Sequence, residues 1–372
     1  MGLQVTTFRG LDGLQQLEAD WRSLAEPGDT PYYLDYDWYL EWVRHDPELP
    51  HGLCFSVVSD PGVGVIGIVP LQARVERVRR LPFRVWTLLG SVGGDVMPFA
   101  SSADFLCRAG DDAPRVLAAT VDHLVGTRPR RSLLQLGRMP EDSQAWRAAQ
   151  LLTGTHTYSR GAHCGIPTRD RFDELHARLS RKTRANLRMF SNRARASGQL
   201  EFDVVQPGMQ GFEKAYDDFK RVESSGWKAN LAAGGSLVTN CQDNQRRFIE
   251  ALFRTHSAQL KPMIFRLMLD QKCLAGLVAC RRGGTLAALK IGYEESGRRL
   301  GPGHLLVEQL VRHCCDDPLL SWVDMLSDAS WLQPWRPQMQ AHQWVYAPLR
   351  GGWGRLAIGL LRLSGSKSDR LV

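Results

Sequence analysis

The stretch Arg298-Arg299-Leu300-Gly301-Pro302-Gly303 decides how this chain is read. The apolar run before it, Thr285-Leu-Ala-Ala-Leu-Lys-Ile291, predicts a strand. After it, Leu305, Leu306, Val307, Leu310 and Val311 recur with helical period from His304 onward. The order is strand, basic glycine loop, helix. Gly301 and Gly303 have access to backbone angles closed to other residues and let a ligand approach the main chain. The first N–H groups of a helix lack internal partners, and the macrodipole adds partial positive charge there. Such a loop is suited to a phosphate or pyrophosphate. Arg298 and Arg299 add full charges, and His304 lines the loop at the helix start.

Composition bounds the rest. A chain of 372 residues suggests two domains. A hydrophobic content of 43% and a charged content of 23% are ordinary for a globular protein with ample core material. The net charge of +8 favours anionic partners: CoA phosphates, nucleic acid or an acidic membrane surface. Eight cysteines are scattered and none forms a C-x-x-C pair, which fits a reducing cytosol and gives no metal spacing. The run His313-Cys314-Cys315-Asp316 closes a helix and lacks a distant second half, so no metal is expected. The N-terminus shows no signal peptide and no apolar run reaches membrane-spanning length. The expected location is cytoplasmic, with the inner membrane surface as a peripheral site.

Along the chain, strands are expected at Gln4–Phe8, Leu53–Val58, Val63–Leu71, Trp86–Leu89 and Leu133–Leu136. Helices are expected at Leu11–Leu24, Tyr36–Val43 and Pro114–Val125. Tyr158–Arg169 is polar, glycine-rich and aperiodic, which places a domain boundary there. Strands at Leu200–Val205, Met263–Leu269, Cys273–Cys280, Thr285–Tyr293 and Leu320–Leu326 then alternate with helices near Phe212–Val222, Asn244–Ser257 and Gly303–Cys315. Phe55-Ser-Val-Val-Ser-Asp60 followed by Gly67-Ile-Val-Pro70 resembles Phe265-Arg-Leu-Met-Leu-Asp270 followed by Gly276-Leu-Val-Ala279. That internal repeat suggests two related domains. The first half has no equivalent of the glycine loop, so it reads as a scaffold or a substrate-side wall.

Two basic segments stand out. Arg181, Arg184, Arg188 and Arg195 share one helical face above an apolar stripe that includes Leu187 and Phe190. The face is either simply solvated or a landing strip for an anion. No aromatics interleave with these arginines, which argues against a platform for single-stranded nucleic acid. The tail, residues 351–372, contains Trp353, Leu356, Ile358, Leu360, Leu361 and Leu363 with Arg355 and Arg362. It reads as a basic amphipathic helix, lying on a membrane surface or docked on its own domain.

The pattern R-x-x-G-x-G at a strand-to-helix junction resembles the acyl-CoA pyrophosphate loop of the GNAT acetyltransferases. Glu223-Ser-Ser-Gly226-Trp227-Lys228, with a small-residue run to Gly234-Gly235-Ser236, is similar to a signature of the BioF2-like, cellulose-biosynthesis (CelD-type) branch. That branch is related to the Fem-type aminoacyl transferases. The basic run Leu179–Arg188, Ser197-Gly198, Trp21, Pro70-Leu71 and Arg138-Met139-Pro140 also resemble it, so the likeness covers about residues 5–350. The resemblance implies an α/β (α+β) fold of two tandem GNAT-like domains, each a mixed, mostly antiparallel sheet flanked by helices. The expected parts are a degenerate domain over 1–160, an acyl-CoA-binding domain over 161–350 and the tail 351–372. After the last strand the family shows an acid, then an aromatic–Lys pair and a Trp. Here Asp328, Trp331 and Trp335 are present, but Leu332 replaces the Lys.

The activity so implied is acyl transfer from acetyl-CoA or a longer acyl-CoA to the amine of a small molecule, sugar or cell-envelope precursor. Such chemistry needs a fixed pyrophosphate, donors for the carbonyl oxygen, a base for the amine and an acid for the thiolate. Arg298, Arg299, Gly301, Gly303 and His304 are the candidates for the first, and main-chain amides near Gly292 and Tyr293 for the second. Glu223 and Asp324, then Asp328, are the candidate bases, and Tyr293 is the candidate acid. Trp227, Lys228 and Trp331 are candidates for substrate contacts. Two alternatives stay open: a Fem-like transferase using aminoacyl-tRNA, and a non-catalytic accessory of polysaccharide biosynthesis. The first lacks the charged helical-hairpin insertion of many Fem-type members; Leu332 keeps the second alive.

Overall fold

The computed structural model describes residues 2–26, 30–46, 52–78, 81–91, 99–108, 112–127, 131–225, 243–254, 257, 259–326, 328–349 and 351–364. It resolves into two compact units. One comprises Met1–Pro27, Trp42–Ala162 and Gln340–Val372; the other comprises Gly28–Glu41 and His163–Met339. This differs from the contiguous division into 1–160, 161–350 and 351–372. The chain crosses close to the expected boundary, but Gly28–Glu41 belongs to the second unit and the C-terminal stretch returns to the first.

The first unit opens with β1 (Gln4–Arg9), α1 (Gly10–Gln16) and α2 (Glu18–Ala25), the last two replacing the single helix expected over Leu11–Leu24. Then come α3 (Tyr36–His45), whose residues up to Glu41 belong to the second unit, β2 (Leu53–Asp60), β3 (Gly64–Val78), β4 (Leu81–Leu88), the short β5 (Leu106–Cys107), α4 (Asp112–Thr127), β6 (Ser132–Met139), α5 (Gln144–Ala149) and β7 (His156–Pro167), which enters the second unit at His163. The strands lie in the order β1-β2-β3-β4-β6, antiparallel except for the parallel pair β4–β6, with β5 beside β3.

The second unit continues with α6 (Phe172–Arg178), α7 (Arg181–Ser197), β8 (Leu200–Val205), α8 (Phe212–Ser224), α9 (Asp243–Arg254), β9 (Lys261–Leu269), β10 (Lys272–Arg282), β11 (Thr285–Tyr293), α10 (Pro302–Asp316) and β12 (Trp322–Asp324). Its strands lie in the order β8-β9-β10-β11-β12, again antiparallel except for the parallel pair β11–β12. The chain ends with β13 (Gln338–Pro348) and α11 (Gly351–Ser364).

The two sheets share one plan. Four antiparallel strands follow in chain order, a helix crosses over, and a fifth strand pairs in parallel with the fourth. The similar hairpins noted in the sequence are β2–β3 and β9–β10, at the same place in each sheet. The sixth strand comes from elsewhere in both. In the first unit β13 pairs with β6, from Gln343↔Met139 to Pro348↔Leu133. In the second, the last residues of β7 pair with β12, from Trp322↔Pro167 to Asp324↔Gly165.

The segment Tyr158–Arg169, expected to hold a domain boundary, lies largely in strand β7, and the two units divide within it at Ala162 and His163. Glycine and histidine hid its pattern, yet Cys164 and Ile166 are fully buried in the second core. Gly165 is needed because the Trp322 ring occupies its Cβ position, 2.1 Å from where that atom would lie. In the first unit Tyr158 stacks between Trp344 and Tyr346 of β13, with centroids 6.0 and 6.3 Å away.

Local chemistry sets the other boundaries. Ser180 caps α7 by accepting the Thr183 N–H at 3.0 Å. The β9–β10 turn holds Asp270 and Gln271 at φ 46° and 65°, the left-handed pair that a two-residue hairpin requires. The tail helix α11 packs Ala357, Ile358 and Leu361 against Val78, Phe83, Val85, Leu133 and Tyr346. Among the described residues no helix is long and apolar enough to cross a membrane.

Candidate active site

The parallel pairing of β11 with β12 runs from Thr285↔Trp322 to Ala287↔Asp324, and β11 then continues alone on that side to Tyr293. Leu289 is an extra residue in its ladder with β10, since Ala279 faces Ala288 and Val278 faces Lys290. Such a bulge bends and twists its strand. The two strands part, and the N-terminus of α10 begins at the mouth of the gap. A cavity of about 480 Å³ lies there. Its walls include Phe190 of α7, Val222 and Glu223 of α8, Ile291–Tyr293 of β11, Arg298, the Gly301–His304 turn and Trp331.

Gly301 is required twice over. It has φ +63°, and an added Cβ would lie 2.5 Å from the Phe190 ring. Pro302 at the first helical position forgoes an N–H that has no partner in any helix. The N–H of Gly301 donates to the Arg298 carbonyl at 3.0 Å, and those of His304 and Leu305 to the Gly301 carbonyl at 3.1 Å. Gly303 is thus the main-chain donor of this first turn left for a ligand, at the positive end of a fifteen-residue helix. Its Cβ position is open but for Tyr293 Cδ1 at 3.6 Å. Arg298 lines the cavity with a largely exposed side chain, 3.3 Å from Glu295. Arg299 is exposed and is not part of the lining, contrary to the sequence expectation. His304 stacks on Phe190, 5.9 Å between centroids and 4° from parallel. Burial lowers its pKa from the ordinary histidine value, so the imidazole is neutral at neutral pH.

At the inner end, the Glu223 side chain is fully buried and its Oε1 lies 3.9 Å from Lys290 Nζ. Gly292 makes this possible. A Cβ there would fall 2.4 Å from Glu223 Cα and 2.8 Å from its backbone nitrogen, so only glycine lets the end of α8 rest on β11. Gly292→Ala must push backbone against backbone. It is expected to destabilise the protein by about 1–3 kcal/mol, read as a lowered melting temperature. Tyr293 has its pKa raised by burial and by the charge of Glu295, which keeps the phenol protonated at neutral pH. Its carbonyl accepts the Ser225 hydroxyl at 3.1 Å.

The remaining expectations separate. Asp324 is buried, its Oδ1 accepts the Leu326 N–H at 2.8 Å, and it does not line the cavity. Asp328 is exposed and also outside the lining. Trp331 does line it, half exposed. Leu332, at the position where a lysine was expected, is a core residue packed near Trp335 rather than a wall of the cavity. Trp227 and Lys228 lie outside the described residues. Sequence reasoning missed Phe190, Val222, Ile291 and Lys290. Phe190 reads in the sequence as part of an apolar stripe, and Lys290 and Ile291 as members of the strand before the glycine loop. Among the described residues no cluster of His, Cys, Asp or Glu is placed to hold a metal ion.

Among the described residues, the matching gap of the first unit is bridged by hydrogen bonds. Beyond Thr87↔Gln135, where the β4–β6 pairing ends, Ser91 Oγ accepts the Gly137 N–H at 3.1 Å and donates to the Gly137 carbonyl at 3.2 Å. Arg138 donates to the carbonyls of Ala100 and Ser101 at 2.6 and 3.0 Å. The crossover helix α4 also begins with Asp112, whose carboxylate repels an anion from that helix start.

Comparison with known proteins agrees with this geometry. An acetyltransferase (GNAT) domain family matches residues 181–357. No curated protein matches the sequence. Among solved structures, FemX superposes with a TM-score of 0.56 at 11% identity, over 88% of this chain and 95% of its own. The C-terminal domain of a putative lysylphosphatidylglycerol synthetase from Agrobacterium fabrum gives 0.52 at 11% identity, over 96% and 100%. L-PGS from Bacillus licheniformis gives 0.51 at 15%, over 94% and 97%. At such identities the likeness is one of fold. Residues 181–357, which include most of the second unit, thus match the acetyltransferase (GNAT) domain family, the first unit repeats the strand plan of the second, and the likeness to FemX is one of fold.

Proposed function

We propose that the protein is an acyl-CoA-dependent N-acyltransferase that moves an acyl group, in the simplest case acetyl, from CoA to an amine. One observation carries this reading. Arg298 and the Gly301–Gly303 turn line the same cavity as the buried carboxylate of Glu223 and the hydroxyl-bearing Tyr293. An anion cradle and an acid–base pair thus share one space, as thioester aminolysis requires. The residues fit the donor's diphosphate: a glycine turn open to close approach, an uncommitted Gly303 N–H, a helix dipole and a guanidinium.

Each residue then has a stated task. Gly303 and Arg298 hold the diphosphate, so that the thioester carbonyl lies along β11. The main-chain amide of Tyr293, which faces away from β10 at the cavity wall, is the candidate donor to its oxygen. Glu223 takes one proton from the substrate ammonium to free the amine; the amine attacks, the N–C bond forms, the C–S bond breaks, and the second nitrogen proton leaves to solvent. Tyr293 returns a proton to the departing sulfur and is itself reprotonated from solvent. The apolar walls, Phe190, Val222, Ile291 and Trp331, exclude water from the thioester.

Calorimetric titration with acetyl-CoA and with a longer acyl-CoA tests the reading. Arg298→Ala is expected to weaken binding by about tenfold, the worth of one charge-assisted contact at a solvated rim. No binding of either thioester by the wild-type chain would sink it. A second reading, transfer from an aminoacyl-tRNA, draws on the arginines of α7. Arg181, Arg188, Arg193 and Arg195 are solvent-exposed. Steeply salt-dependent tRNA binding without acyl-CoA binding would favour it. Acyl-CoA binding with no turnover across a panel of amines would favour a non-catalytic accessory role.

A further inference from the structure

The last turn of α8 supplies two walls of the cavity, Val222 and Glu223. It rests on a pair of glycines. Gly276 of β10 and Gly292 of β11 face each other across the ladder. A Cβ at Gly276 would lie 3.4 Å from Phe219 Cα and from Val222 Cγ2, and one at Gly292 would lie 2.4 Å from Glu223 Cα. The helix therefore meets bare backbone at both positions. Such a seat brings main chain close to main chain, but it has no side chain there to interdigitate with the helix. Interdigitation is what ordinarily fixes how one packed element sits on another.

Arg221, in the same turn, bonds in two directions. One guanidinium nitrogen donates to Glu294 Oε2 at 2.7 Å, just past the end of β11. The other donates to the Cys273 carbonyl at 2.8 Å, near the start of β10. Glu294 is itself tied down, because its N–H donates to the Leu274 carbonyl at 2.7 Å. One side chain thus fastens the end of α8 to both strands that carry the glycines. The planar fork of a guanidinium suits two acceptors at once, and its bonds to a carboxylate are short and directional. Farther up the helix the anchoring is separate. Asp218 accepts from Arg266 at 2.7 Å, and Ala215 and Phe219 are buried. Loss of Arg221 therefore frees the last turn without undocking the helix.

We infer that Arg221 is a positioning residue for acyl transfer: bonded to Glu294 and to the Cys273 carbonyl, it holds the Glu223 carboxylate in place opposite Tyr293 and the glycine turn. The inference rests on the acyl-transfer reading. Arg221 does not line the cavity, so it acts through its neighbours. Glu294 follows Tyr293 directly, and Arg221 precedes Glu223 by two residues of one helical turn. Joining Arg221 to Glu294 therefore joins the proposed base to the proposed acid, which the smooth glycine seat alone leaves free to slide.

Variants of the full chain test it through three readouts: acetyl-CoA affinity by calorimetry, melting temperature, and thiol release from acetyl-CoA with glucosamine, lysine and putrescine as probe amines. Arg221→Met is expected to lower kcat by about 10–100-fold, the scale of a misplacement of about 1 Å. Its acetyl-CoA Kd should stay within about twofold of wild type, because Arg298 and the Gly301–Gly303 turn belong to the start of α10 and the turn before it. Arg221→Lys is expected to recover part of the loss, since an ammonium keeps one of the two contacts. Adding Glu294→Gln to Arg221→Met should cost less than about twofold more, because the pair acts as a unit. Arg281→Met is the control: Arg281 pairs with Asp317 at 2.6 Å at the far end of β10. That variant should lower the melting temperature comparably and leave kcat within about twofold. An Arg221→Met enzyme with a lowered melting temperature but a wild-type kcat would overturn the inference, as would an equal loss of kcat in Arg281→Met. No acetyl-CoA binding, or no thiol release, by the wild-type chain would instead sink the acyl-transfer reading and this inference with it.

Discussion

Glu223→Gln is expected to lower kcat by about 10²–10⁴-fold while leaving acyl-CoA binding and the melting temperature near wild type. Glutamine keeps the shape of the buried side chain, so α8 still rests on Gly292 and the cavity keeps its wall. It cannot take the proton of an attacking ammonium. Lys290, 3.9 Å away, loses its opposite charge but is itself partly exposed and remains solvated. The comparison that isolates chemistry is Asp324→Asn. Asp324 is buried outside the cavity and holds the Leu326 N–H, so its loss should lower stability and leave kcat within a few-fold. Steady-state rates with a responsive amine, measured beside thermal melts, separate the two. A Glu223→Gln enzyme with a near-normal kcat, or one that fails only by unfolding, would remove Glu223 from the chemistry.

Arg282→Met should be among the most destabilising single changes, at about 3–5 kcal/mol. Arg282 and Asp35 are 1% and 5% exposed in their side chains and meet at 2.9 Å. The guanidinium also donates to the Thr30 carbonyl and, at 2.6 Å, to Gln259. One arginine so ties the segment at residues 30–35 to β10 within the second unit. Removing it strands a buried carboxylate. The Asp35 pKa is already raised by burial, with Arg282 opposing the rise. Without the arginine it rises further. The folded variant then binds a proton over a wider pH range above the ordinary aspartate value than the unfolded chain does. Its stability must fall as pH rises through that range, so its deficit relative to wild type is largest near neutrality and shrinks toward pH 4. The double variant Asp35→Asn with Arg282→Met should recover most of the loss, because no charge is left behind. Denaturant melts at two pH values give the outcome; a deficit independent of pH would show that lost packing, not charge, is responsible.

Legibility followed the range of the interactions. Strands Leu200–Val205 and Thr285–Tyr293 were found to the residue, and the helices around them to within a few residues. Their apolar periods, caps and turn residues lie within a dozen positions of one another. The sequence likeness of the hairpins at Phe55 and Phe265 anticipated the shared sheet plan, since each hairpin is a local unit. Strand β7 was not legible in the aperiodic boundary segment, because its packing depends on Trp322 and Trp344, more than 150 residues downstream in each case. Strand β13 was not anticipated at all: its partner in the first unit, β6, lies some 200 residues earlier.

The same distinction runs through the site. What the chain determines by itself is the glycine turn proposed as an anion cradle. A strand, a left-handed glycine, a proline at the first helical position and a helix dipole follow from backbone sterics and peptide electrostatics over some twenty residues. Only the tertiary structure decided which carboxylate faces that cradle. Asp324 and Asp328 are nearer in sequence, yet one is buried at the end of β12 and the other faces solvent. Glu223 arrives from α8 because Gly292 has no side chain to hold that helix away. It alone decided, too, which face of the tail helix is covered. Its apolar arc is wide, so which part is covered rests on the shape of the sheet that Ala357 and Ile358 meet, a property no stretch of sequence carries locally.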